Sequence, residues 1–239
     1  MNNQVKIFGE RNTGTNYLAK LIRSNLNVNI IRGTVPRKSL FMLNEFTKDL
    51  FFFFTKKYNL GWKHSYIDLN KISRLLSIVT LTKNPYSFLL SLYKNPYHYI
   101  GDKPKTFEGF INNHWIVRKR DNLSNNVLKN PIELWNIKNK SYMDLYFKKE
   151  DICLNLKYED LVADPRKIIM RIASKFSLDL NQDFLNYQES TKNSKQRFED
   201  YQRYYMNEEW KVKLHSKHIN LINKYLDEEV MSFFQYQKL

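Results

Sequence analysis

The chain has 239 residues, 42% of them hydrophobic and 15% aromatic, and carries a formal net charge of +15. That length allows one domain with a sizeable core, and the apolar content excludes an intrinsically disordered chain. Its single cysteine, Cys153, excludes an intramolecular disulfide and a cysteine-built metal site, while the charge favours anionic partners: nucleotides, nucleic acid, acidic glycans or a membrane surface.

The opening MNNQVKIFGE has no apolar signal core, so a cytoplasmic protein is expected. Val5 and Ile7 alternate with polar neighbours and predict a first strand. After IFGERNTG, apolar residues at Tyr17, Leu18, Leu21, Ile22 and Leu26 trace one face of a helix. Further strands are predicted at Val28 to Ile31 and near Leu60 to His64. Between them Leu50 to Phe54 reads LFFFF, too short to span a bilayer and expected to be buried.

Ser77 to Leu81 (SIVTL) is uncharged and reads as a buried strand. It stops at Lys83-Asn84-Pro85, where Asn84 can cap a helix and Pro85 can occupy its first turn. That helix presents Phe88, Leu89, Leu92 and Tyr93 on one face. From Tyr97 to Lys140 the pattern predicts helices and loops outside the sheet. A strand follows at Ile152 to Leu156, then YEDLVADP, whose Asp164 and Pro165 start a helix with Ile168, Ile169, Ile172, Ala173 and Phe176 inward. No repeat or linker interrupts the chain, so residues 1–239 are expected to form a single domain.

Strand then helix, repeated, predicts a parallel sheet with helices on both faces and a ligand site at the carboxyl ends of the strands. The GERNTGTN loop, Lys63-His64 and Lys83-Asn84 all fall at those ends. Gly9 and Gly14 have the spacing of the phosphate loop G-x-x-x-x-G-K-[ST], but Thr15 stands where that pattern has lysine. Glycines that turn N–H groups inward, followed by a helix N-terminus, hold a phosphate well. Without the lysine that reaches the β and γ phosphates, a ligand with a single phosphate fits this loop better than a triphosphate.

GERNTGTNYL, LTKNPYSFLLSLY and LKYEDLVADP, in that order between residues 7 and 165, resemble the sulfotransferases that use 3′-phosphoadenosine 5′-phosphosulfate (PAPS). The resemblance implies an α/β fold: a P-loop-like three-layer sandwich with a central, mostly parallel sheet and helices on both faces. It also implies transfer of a sulfuryl group from PAPS to an acceptor hydroxyl, on a glycan or a small metabolite. Adenosine 3′,5′-bisphosphate would be released, and no metal is required. Thr13, Gly14, Thr15 and Asn16 would hold the 5′-phosphosulfate. Lys83 and Ser91, with lysine in place of the family's arginine, would hold the 3′-phosphate. Tyr158 would be either an adenine-side contact or a packing tyrosine.

By the same match His64, in GWKHS, would be the base that takes the acceptor's proton. The family's charged loop residue falls on Asn12, which has no charge, so either Arg11 or Lys63 would supply the cation, with Arg11 the nearer choice. In a regular strand Lys63 and His64 would face opposite ways. Lys195 and Arg197, in SKQRF, could stand in for the family's C-terminal phosphate loop. RFEDYQRYYMNEEW is expected to be a helical packing face. Two other classes are weaker. A P-loop kinase lacks its lysine, and a nucleic-acid-binding protein would gather its charges into one stripe, where here they are scattered.

Overall fold

The computed structural model describes residues 4–72, 76–181, 183–188 and 197–239. In chain order it contains β1 (Gln4–Gly9), α1 (Thr15–Asn25), β2 (Asn29–Ile31), α2 (Glu45–Asn59), β3 (Ser77–Thr82), α3 (Pro85–Lys94), α4 (Phe107–Asn112), β4 (Trp115–Ile116), β5 (Val127–Leu128), α5 (Pro131–Lys149), β6 (Cys153–Lys157), α6 (Tyr158–Ala163), α7 (Pro165–Phe176), α8 (Phe198–Met206), α9 (Ser216–Tyr225) and α10 (Glu228–Phe233).

The apolar runs of β1 and β3 lie side by side in parallel, from Val5 opposite Ser77 to Gly9 opposite Leu81. β2 joins the other edge of β1, and β6 the other edge of β3, giving an all-parallel sheet in the order β2-β1-β3-β6. Every residue from Val5 to Gly9 and from Ile78 to Thr82 is buried. Successive strand residues point to opposite faces, so both faces of the sheet are covered. α1 packs against α7, while α5 packs against β6, α3, α4, α9 and α10. β4 and β5 form a small antiparallel pair apart from the main sheet.

From β1 the chain moves to one side to make β2, then returns past β1 to make β3 on the other. The carboxyl ends of β1 and β3 are therefore the switch point at which such sheets open a crevice. α3, α5 and α7 are each started by a short polar side chain. The Asn84 side chain accepts from the Tyr86 and Ser87 N–H groups at 3.1 and 3.4 Å, with Pro85 in the first turn of α3. Asp164 and Pro165 do the same for α7, and Asn130 and Pro131 for α5, which begins within the stretch where helices and loops are expected.

Two expectations are corrected. Leu60 to His64 is a turn, not a strand: α2 ends on Leu60 at φ 59° and Gly61 at φ 83°, left-handed conformations that no strand accommodates. The turn meets β1 through the backbone of Lys63, which accepts from Gly9 N–H and donates to the Gly33 carbonyl, each at 3.0 Å. The LFFFF run lies on α2, where consecutive residues are about 100° apart and five in a row cannot share one face. Phe52 is buried, whereas Phe53 and Phe54 are 77% and 61% exposed.

Candidate functional site

The phosphate-loop sequence folds into a tight turn whose two glycines are both required by close approach. A Cβ on Gly9 would lie 2.6 Å from the Thr15 methyl and 2.8 Å from the Leu81 carbonyl oxygen. Gly14 has φ 87°, and a Cβ there would lie 2.7 Å from two carbons of the Tyr158 ring. The Thr13 hydroxyl closes the turn by donating to the Glu10 carbonyl at 2.6 Å. α1 begins immediately afterwards with no capping side chain, so the N–H groups of its first turn point out of the helix without intrahelical partners. That is an anion-holding geometry.

Beside the loop lies a cleft of about 980 Å³. Its lining brings together Asn12, Gly14, Lys83, Ser91 and Tyr158 of the predicted set, with Tyr205 and its neighbours on α8. Lys83 is 1% exposed, and its Nζ donates to Ser91 Oγ at 2.8 Å and to Tyr205 Oη at 2.7 Å. The rings of Tyr158 and Tyr205 flank the ammonium at 4.8 and 4.3 Å. Burial pulls the Lys83 pKa down to about 7, against the opposing pull of Glu159. Glu159 itself accepts from Asn84 N–H and from Tyr236 Oη, fixing the turn into α3.

Thr13, Thr15, Asn16, Lys63 and His64 do not line this cleft. Asn12, at φ 63°, donates from its side chain to the Asn95 carbonyl at 3.0 Å and ties the loop to the end of α3. Because residues 60–64 form a turn, the adjacent Lys63 and His64 both reach the loop. Lys63 Nζ donates to Asn16 Oδ1 at 2.5 Å at the start of α1. His64 is buried against Trp62, and its Nδ1 donates to the Gly9 carbonyl. That bond makes Nε2 the basic nitrogen. Burial, then the charges of Lys63 and Arg11, push the His64 pKa well below its ordinary value, so the ring is neutral at pH 7.

Arg11 is placed elsewhere than its nearness in sequence suggests. Its guanidinium is buried away from the cleft, bonded to Glu10 Oε1 at 2.6 Å and in a two-bond fork with Asp121 at 3.1 and 2.9 Å. Trp62 stacks 4.6 Å from it. Lys138 Nζ completes the cluster, donating to Asp121 Oδ1 at 3.1 Å and to the His64 carbonyl at 2.6 Å. A guanidinium so committed serves the buried network beneath the loop. Lys63, by contrast, is half-buried and bonded to Asn16 at the start of α1.

The helix expected at RFEDYQRYYMNEEW is α8; what sequence reading missed is that its Tyr205 closes over Lys83 from 122 positions away. Its only signal was the tyrosine density of RFEDYQRYYM. Arg197 is exposed and starts α8, its N–H bonded to Asp200 at 3.1 Å; Lys195 lies outside the described residues. No group of three or more His, Cys, Asp or Glu side chains among the described residues could hold a metal ion. No described helix is long and apolar enough to cross a membrane.

No protein-family model matches the chain, and no curated protein sequence matches it. Among solved structures it is similar to the sulfotransferase domain from the curacin biosynthetic pathway, at 13% identity and a TM-score of 0.43. The likeness covers 72% of this chain and 58% of the length of that domain.

Proposed function

We propose that the protein is a PAPS-dependent sulfotransferase, acting as one unit over residues 1–239. The observation that carries this is Lys83: a buried lysine bonded to two neutral hydroxyls, facing a cleft whose other wall is the glycine turn and the uncapped start of α1. Such an ammonium is incompletely compensated until an anion arrives. The two walls fit a nucleotide with phosphates on two different positions, the 5′ group at the loop and the 3′ group at Lys83 and Ser91. Tyr158, between them, offers a ring for the adenine side.

PAPS would supply an activated sulfuryl group. A new S–O bond forms to the acceptor hydroxyl as the S–O bond to the phosphate breaks. His64 Nε2 takes the hydroxyl proton, and adenosine 3′,5′-bisphosphate leaves with the electron pair. Lys63, held at the loop by Asn16, would balance charge developing on the departing oxygen, a role Asn12 cannot fill. This chemistry asks nothing of a metal ion, so turnover with labelled PAPS and hydroxyl acceptors, glycans first, is expected to persist in a chelator. The lone buried Cys153 suits a reducing compartment, and we place the enzyme in the cytoplasm.

Calorimetry tests the reading. Adenosine 3′,5′-bisphosphate is expected to bind far more tightly than AMP, and Lys83→Ala to remove most of the difference, a loss of about 10- to 100-fold. The folded Lys83 pKa of about 7 lies below the ordinary 10.5, so in the empty protein this group's contribution to stability rises with pH from about 7 to 10.5. An anion that restores the charge must draw a proton in that same window. Binding of the bisphosphate at about pH 8, above its own phosphate pKa near 6, should therefore take up a proton, and affinity should fall as pH rises further. AMP should take up none. Equal affinities and equal proton uptake for the two nucleotides would overturn the proposal.

A further inference from the structure

We propose that α2 and the turn before it dock the protein on an anionic lipid bilayer. On α2, Phe46, Leu50, Phe53, Phe54 and Tyr58 fall at the i, i+4, i+7, i+8 and i+12 positions of one helical face. Leu50 is half-buried and the rest of that face points outward: Phe46 is 64% exposed and Tyr58 74%, in line with Phe53 and Phe54. Leu40 and Leu43, just upstream, are 82% and 76% exposed. Single exposed apolar residues are ordinary, but a continuous stripe of them marks an interaction surface.

The helix is fastened by its other side. Phe52 and Asn59 are buried, and the two acids of the segment, Glu45 and Asp49, are both bound to the buried Arg120. The usual arrangement of a surface helix is thus inverted, with the acids held inward and the aromatic rings shown outward. Cations precede the stripe in the chain and stand within it. Arg32, Arg37 and Lys38 are exposed before it, and Lys57 stands within it, its Nζ 4.7 Å from the Tyr58 ring.

Rings flanked by lysine and arginine suit the boundary between lipid headgroups and acyl chains, where the rings enter and the cations meet anionic headgroups. A second copy of the chain fits less well. A two-fold interface sets each patch against itself, bringing Arg37, Lys38 and Lys57 of both copies together. At 15 residues α2 can lie on a bilayer but not span it. This surface is separate from the cleft and stands whatever nucleotide the cleft takes.

The test is flotation of the whole chain with vesicles of phosphatidylcholine containing about 30 mol % phosphatidylserine, at about 0.1 M salt. Wild type is expected to float with these vesicles and to bind pure phosphatidylcholine at least about ten-fold more weakly. Phe53→Asp/Phe54→Asp should lose binding by at least about ten-fold while its unfolding midpoint stays unchanged, because both rings are exposed. Arg37→Glu/Lys38→Glu should weaken binding to the anionic vesicles alone. The proposal is overturned if wild type does not float, or if Phe53→Asp/Phe54→Asp floats equally well. It is also overturned if light scattering shows a dimer that this variant dissolves while no vesicle binds.

Discussion

His64→Ala is expected to lower sulfuryl transfer by about 10²–10⁴-fold while leaving the affinity for adenosine 3′,5′-bisphosphate nearly unchanged. The reason is the division of labour between the two ring nitrogens. Nδ1 is spent on the Gly9 carbonyl, which orients the ring and leaves Nε2 to accept a proton. Burial beside Trp62, with Lys63 and Arg11 near, keeps that nitrogen unprotonated at neutral pH. Turnover should therefore stay flat as pH falls through 6.5 and decline only further into acid. His64→Asn separates the two roles, since its amide can still donate to Gly9 but cannot act as a base. If the asparagine variant turns over normally, the ring only positions the loop and the base lies elsewhere. The same burial has a stability consequence. A folded pKa below the unfolded one means that the unfolded chain binds the extra proton first, so this contribution is complete above pH 6.5 and is lost as pH falls below it.

Local signals in this chain were legible because their causes are local. The strand-glycine-helix passage at residues 4–25 and the Asn84-Pro85 and Asp164-Pro165 starts each follow from a few adjacent residues. So does the pairing of Lys83 with Ser91, two helical turns apart and joined at 2.8 Å. The failures are of two kinds. LFFFF is apolar throughout but sits on a helix whose periodicity splits it between faces, and two left-handed residues in a row break the strand expected at Leu60–His64. The partners of Arg11 and Lys83 were hidden for a different reason. Asp121 lies 110 positions from Arg11, and Tyr205 lies 122 from Lys83, so only the folded chain could reveal either contact. The second bears on function, because the Arg11 guanidinium favoured for the loop's cation is bonded to Glu10 and Asp121.

Arg11→Ala is accordingly expected to cost about 3–5 kcal/mol of stability, the usual penalty for removing one partner of a buried ion pair, measured by denaturant unfolding. Asp121 is fully buried and would keep Lys138 alone as its charged partner, while Glu10 would lose its 2.6 Å bond. Arg11 and Lys138 now hold the Asp121 carboxyl well below the usual carboxylate range, against the effect of its burial. With the folded pKa depressed, this group's contribution is complete above its unfolded pKa of about 3.9 and is lost only as pH falls through the folded value. Without Arg11 that folded value must rise, so the variant should unfold in acid at a higher pH than wild type. Lys63→Ala should behave in the opposite way, keeping its stability and losing turnover, since Lys63 touches the loop from the half-buried turn. The network beneath the loop also carries Lys138, which holds the His64 carbonyl, so Arg11→Ala should disturb His64 through its backbone. A stably folded Arg11→Ala protein with turnover lost outright would return the catalytic cation to Arg11 and require the Asp121 fork to open during the reaction.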